Sequence, residues 1–143
     1  MSTTITTTPI PREVVNWDIL DEIVSLDEDN PDFSRNLIEQ FLEQASTTFA
    51  QIDAELQGKR DLAQLASLGH FLRGSSAALG LQRIAWACER IQNLGRKREG
   101  AADPAAPLSD DFYADQIASA LAQARVEFDV ARQELSKFYG TLL

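Results

Sequence analysis

Apolar side chains recur every three or four residues in four long stretches of this chain, and no stretch of useful length alternates apolar with polar. That spacing belongs to a helix, so each stretch presents one apolar stripe that has to be covered. The first holds Phe33, Leu37, Phe41, Ala45, Phe49, Ile52 and Leu56, with Gly58 after it as a C-cap. The second follows Asp61 as N-cap and carries Leu62, Leu65, Leu68, Leu72 and Leu79, with a turn at Gly80. The third carries Ile84, Ala87, Ile91 and Leu94 and ends between Gly95 and Gly100. The fourth, capped by Ser109 or Asp110, turns Ile117, Leu121, Ala124, Phe128, Ala131, Leu135 and Phe138 inward and stops near Gly140. A shorter pattern from Asn16 to Leu26 precedes them, and Asn30 as cap with Pro31 in the first turn opens the helix that follows. Together they predict an all-α, up-down-up-down four-helix bundle with a short N-terminal helix. Residues 1–11 read as a disordered lead-in, 12–143 as a single domain, and 99–109 as the one sizeable loop.

Several function classes are excluded by inventory. Cys88 is the only cysteine, so no intrachain disulfide forms and a reducing compartment is favoured. No apolar run approaches the roughly 18 residues that cross a bilayer, and no signal-peptide block is present, so no membrane partner is expected. The net charge is −9, but its sign changes along the chain. Residues 1–69 carry thirteen acids against four bases, whereas 70–98 carry Arg73, Arg83, Arg90, Arg96, Lys97 and Arg98 against Glu89 alone. An acidic chain argues against nucleic acid. The local basic island suits a small anionic group, although a solvated helix face accounts for it equally well.

The only histidine lies inside that island. At helical spacing, the neighbours of His70 on its own face are Ala66, Ser67, Arg73, Gly74 and Ala77: four short side chains and one cation. Glycine within a helix costs about 1 kcal/mol against alanine, so Gly74 asks for a reason, and access to the imidazole is the simplest. At about 100° per residue, His70 points roughly 140° away from the leucine stripe of its helix, towards solvent or a groove. His70 and Gln92 each stand eleven residues from Leu81 at the turn, and Ala66 and Arg96 each stand fifteen from it. In an antiparallel pair this puts Gln92 level with the imidazole and Arg96 near Arg73, unless both are ordinary exposed residues.

An imidazole with an unperturbed pKa of about 6.5 is a nucleophile near neutrality, and flanking cations can hold a phosphoryl group by charge-assisted hydrogen bonds. Other chemistries lack parts. A zinc site needs about four ligands of His, Cys or carboxylate type. No serine triad can be assembled around Ser75 or Ser76, and no GxxxxGK[ST] loop exists to bind ATP, so the chain is not a kinase by itself. In the short first helix, Ile19, Leu20, Ile23, Val24 and Leu26 span about 160°, wider than one core stripe needs, so some of them are expected at the surface.

The run from His70-Phe71-Leu72-Arg73-Gly74-Ser75-Ser76-Ala77 to Leu81, continued by Ile84 to Lys97, closely resembles histidine-containing phosphotransfer (HPt) proteins. It is most similar to the fungal phosphorelay intermediates that connect a hybrid sensor kinase to response regulators. The resemblance extends from Asn16-Trp17 to Glu134-Leu135-Ser136-Lys137. It implies that His70 is the phosphoacceptor, that Arg73 occupies the basic position where the family usually has lysine, and that Gly74 gives clearance. Gln92 would orient the imidazole and Arg96 would support the phosphoryl environment. Ile19, Ile23, Leu26, Phe33 and Leu37 would form a docking surface for a receiver domain.

The implied partners are the receiver domain of a hybrid sensor histidine kinase and one or more response regulators, with no nucleic acid and no membrane. The chain would be a monomer, cytoplasmic and nuclear, relaying osmotic or other stress signals. No cofactor is expected on this chain, with Mg²⁺ belonging to the partner receiver. A helical adaptor that binds a receiver without being phosphorylated shares the docking surface but has no need of His70.

Overall fold

The computed structural model describes residues 9–98 and 108–143, all of whose regular structure is helical. The elements are α1 (Trp17–Val24), a short 3₁₀ turn (Ser25–Glu28), α2 (Phe33–Gln57), α3 (Leu62–Ala78), α4 (Gln82–Gly95) and α5 (Asp110–Tyr139). Helices α2 to α5 pack in a ring in chain order, each against its neighbours, and α1 lies against α2. The core follows most of the stripes read from the sequence: Phe41, Ala45 and Ile52 face Leu65, Leu72, Ile84, Ile91, Ile117, Leu121 and Leu135, with the unread Ile38 buried in α2 where Phe33 and Leu37 are only half-buried. The loop expected over 99–109 falls mostly outside the described residues.

Local chemistry sets most helix starts. Asn16 accepts a hydrogen bond from Asp18 N (3.1 Å), Asp61 from Ala63 N and Gln64 N (3.0 and 3.3 Å), and Ser109 from Phe112 N (3.1 Å). The start of α2 differs from expectation. Asn30 does not cap it and Pro31 is not in its first turn; the cap position is Asp32, left-handed at φ 66°, with no side-chain capping bond. The free N–H of Ser34 is met instead by Asp27 from the preceding 3₁₀ turn, at 2.7 Å. A carboxylate delivered by that turn satisfies the same orphan donor, so the local signal at Asn30 goes unused.

Three inward assignments also shift. Leu68 and Phe128 are only half-buried, and Phe138 is 45% exposed. At 30 residues, α5 is longer than α3 (17) and α4 (14). Its last turn therefore meets α1, and Phe138 lies against Trp17 with ring centroids 4.9 Å apart.

The segment before α1 is tied to the α3–α4 turn. Asn16 N donates to Gly80 O (2.7 Å), and the Gln82 amide donates to Glu13 O (2.7 Å). Gly80 takes φ +79°, and a Cβ there would stand 2.6 Å from Asn16 O, so glycine is required on both counts. Arg83 donates to the carbonyls of Pro11 and Arg12 (3.4 Å each), so the end of the stretch expected as a lead-in is in contact with the bundle.

Candidate functional site

On α3 the buried residues are Leu62, Leu65, Ala66, Gly69, Leu72 and Ser76, which leaves His70 exposed next to the buried Gly69. Gly69 lies at the α3–α4 seam. A Cβ there would stand 2.9 Å from Gln92 N and from Ile91 Cγ2, and 3.0 Å from Cys88 O. Gly95 does the same one level along, with Leu62 O at 2.7 Å and Ala66 Cβ at 2.8 Å. These two glycines bring α4 close enough to define the ground beside His70. Ala66 therefore belongs to the seam rather than to the open surround of the imidazole.

Gly74 behaves in the opposite way. It is exposed, and a Cβ built on it meets nothing within 4 Å. Packing does not require a glycine there, which leaves the expected clearance beside His70 as the physical reason for it. Ser67 and Ala77 are exposed on the same face and add little bulk.

Gln92 is 6% exposed, so it is not an ordinary surface residue. Its backbone N faces Gly69, which confirms the register counted from Leu81, yet its Oε1 has no hydrogen-bond partner. The expected bond to the imidazole is not made in this conformation, and a buried acceptor is left free at the seam. Arg96 is exposed and follows Gly95 directly.

The basic island divides. Arg83 is held by Glu127, Nε to Oε1 at 2.7 Å and Nη2 to Oε2 at 3.1 Å, and Glu127 is 2% exposed. That bidentate contact raises the Arg83 pKa. Lys97 pairs with Asp110 at 2.7 Å, and Arg90 lies 5.7 Å over the Trp86 ring. Arg73 and Arg96 form no ion pair among the described residues, and the buried Arg73 Nε has no acceptor. The island is thus smaller than its sequence suggests, and the cations left without an ion pair among the described residues, Arg73, Arg96 and Arg98, include the two assigned to the site. Cys88 offers no competing nucleophile, because burial pushes its thiol up to about 12.

Ile19 and Leu26 are exposed at 39% and 52%, Ile23, Phe33 and Leu37 are half-buried, and Leu20 is fully buried. The apolar arc of α1 is therefore too wide for the core, and the excess faces outward. No cluster of residues able to hold a metal ion occurs among the described residues, and none of their helices is long and apolar enough to cross a membrane.

The Hpt domain profile matches residues 36–127. The phosphorelay intermediate protein YPD1 of Saccharomyces cerevisiae is 49% identical, over 94% of this chain and 98% of that protein. Its crystal structure in complex with the receiver domain of its downstream response regulator Ssk1 superposes with a TM-score of 0.88 at 51% identity, covering 94% of this chain and 100% of that one. The chain belongs to the histidine-containing phosphotransfer family. Among other HPt relatives, the Candida albicans YPD1 is 35% identical over 88% of this chain and 92% of that protein. The maize HPt protein ZmHP2, at 23% identity and a TM-score of 0.71, shares the fold.

In this HPt chain the sequence reading missed two features of the site. Gly69 and Gly95 set the α3–α4 spacing, and the available signal at Gly69 was a glycine inside a helical pattern, where it costs about 1 kcal/mol against alanine. Phe71, next to His70, is 48% exposed. It edges a shallow groove along α2 with Gln40, Gln44 and Thr47. A second cleft of about 300 Å³, lined by Leu37, Gln40, Ser75 and Ala78 among others, runs from Leu37 to the residue after Gly74.

Proposed function

We propose that this HPt protein accepts a phosphoryl group on His70 from the aspartyl phosphate of one receiver domain and passes it to the aspartate of another. The observation that carries this reading is the exposed His70 with the bare backbone of Gly74 one turn further along α3. An imidazole nitrogen attacks phosphorus in line. The N–P bond forms as the aspartyl O–P bond breaks, and the carboxylate leaves. Transfer onward is the reverse step with a second aspartate.

Arg73 and Arg96 are the cations free to meet the phosphoryl oxygens. Gln92, with an unused acceptor at the seam, is the group that would fix the ring once a partner closes over it. Chemistry of this kind asks the HPt side mainly for position, since the receiver brings the acidic residues and its Mg²⁺. The upstream receiver belongs to a hybrid sensor kinase in this reading, and the downstream one to a response regulator. Ile19, Ile23, Leu26, Phe33 and Leu37 form the surface on which each docks in turn.

A pulse-chase tests the relay. A receiver domain carrying labelled aspartyl phosphate is mixed with the protein, and a second, unlabelled receiver is then added. Label is expected to appear on the protein in acid-labile form and then to move to the second receiver. Label that never enters the protein, or enters and cannot leave, overturns the relay.

A further inference from the structure

The docking patch is assembled from two elements that are not continuous. Ile19, Ile23 and Leu26 come from α1 and the 3₁₀ turn, whereas Phe33 and Leu37 come from α2 after an intervening turn. Asp27 and Ser34 join the two halves. Ser34 N donates to Asp27 Oδ1 (2.7 Å), Ser34 Oγ donates to Asp27 Oδ2 (2.6 Å), and Tyr139 OH donates to Ser34 Oγ (2.8 Å). Ser34 is fully buried, so these bonds replace solvation that it cannot otherwise obtain. Asp27 follows Leu26 and Ser34 follows Phe33, so the clamp sets the spacing of two patch residues directly. Tyr139 belongs to the last turn of α5, and its neighbour Phe138 packs on Trp17 at the first residue of α1. One turn of α5 therefore touches the docking element at both ends.

We propose that Asp27, with Ser34 and Tyr139, is a positioning group for receiver docking, holding the two halves of the patch in the relative placement that a receiver recognises. None of the three reaches towards the phosphoryl group in this account; they act through Leu26 and Phe33. The proposal rests on the phosphorelay reading above only for the identity of the docking partner.

Two measurements on Asp27→Ala, Ser34→Ala and Tyr139→Phe test it, below each variant's unfolding transition by circular dichroism. The first is the affinity for an unphosphorylated receiver domain by titration calorimetry. The second is transfer from the phosphorylated receiver over a range of its concentration. Asp27→Ala is expected to weaken affinity and raise the half-saturating receiver concentration roughly tenfold, and the other two variants about two- to threefold. The rate at saturation is expected to stay at the wild-type value, because the ground around His70 is unchanged. Wild-type affinity in the Asp27 variant overturns the proposal, as does a lower saturated rate with unchanged half-saturation. Should that variant fail to fold, wild-type affinity in both of the others overturns it. Clamp-dependent affinity with no phosphoryl uptake by the wild type supports the clamp and sinks the relay reading alone.

Discussion

Replacing Gly69 and Gly74 by alanine, one at a time, is expected to move stability in opposite directions, although both glycines lie inside α3. Each change gains about 1 kcal/mol from the lower backbone entropy of alanine in a helix. At Gly74 nothing offsets that gain, because the new Cβ meets no atom within 4 Å. At Gly69 the new Cβ would meet Gln92 N at 2.9 Å and Cys88 O at 3.0 Å, both backbone atoms of α4 that cannot rotate away. Overpacking of this kind costs roughly 2–3 kcal/mol, so the net change is a loss of about 1–2 kcal/mol. In a chain of this size 1 kcal/mol corresponds to about 3 °C in Tm. Thermal unfolding followed by circular dichroism should show Gly74→Ala melting about 3 °C above the wild type and Gly69→Ala about 3–6 °C below it. Function divides the other way: Gly74→Gln, still folded, should transfer phosphoryl at least tenfold more slowly. A destabilised Gly74→Ala would show that packing requires this glycine, and wild-type transfer by Gly74→Gln would remove the case for clearance.

Three further outcomes follow from the same geometry. Arg83→Ala leaves the Glu127 carboxylate buried with Gln123 as its remaining partner; a loss of about 3–5 kcal/mol in urea unfolding is expected, and a loss below about 1 kcal/mol would contradict the assignment. Leu26→Ala should weaken receiver binding about tenfold while costing under about 0.5 kcal/mol of stability, since the side chain is 52% exposed; the reverse ranking would place Leu26 in the core. The two bonds from Ser34 hold the Asp27 carboxyl below its usual range, the hydroxyl bond contributing most. With the folded pKa below the unfolded value of about 4, that stabilisation is complete above the unfolded pKa and is lost as pH falls through the folded one. Wild-type stability should therefore fall more steeply on acidification than that of Asp27→Asn, and parallel curves would show that Asp27 does not titrate with folding.

The helices and their inward faces were legible because a 3.6-residue apolar period and side-chain caps are local signals. Asn16, Asp61, Ser109 and Gly80 act where their residue types suggest. What escaped the sequence was set by tertiary contact. Asp27 caps α2 from the preceding turn, so Asn30 and Pro31 misled. Phe138 lies against Trp17 of α1 because α5 is longer than α3 and α4, a matter of relative helix length and not of period. Two of the six bases in the island, Arg83 and Lys97, are neutralised by acids from α5, Glu127 and Asp110, that no spacing connects to them. At the site, the outward placement of His70 and the openness at Gly74 could be counted from one helix. The burial of Gln92 could not, since it depends on the close approach that Gly69 allows.

The central claim is that a single exposed imidazole carries the phosphoryl group while a separate apolar surface holds the donor. His70→Gln keeps the size and polarity of the side chain and removes the nucleophile. Incubated with a receiver domain bearing labelled aspartyl phosphate, this variant is expected to bind with wild-type affinity and to acquire no label, whereas the native protein becomes labelled at His70. Label on the variant, or equal receiver dephosphorylation by both proteins, would contradict the account.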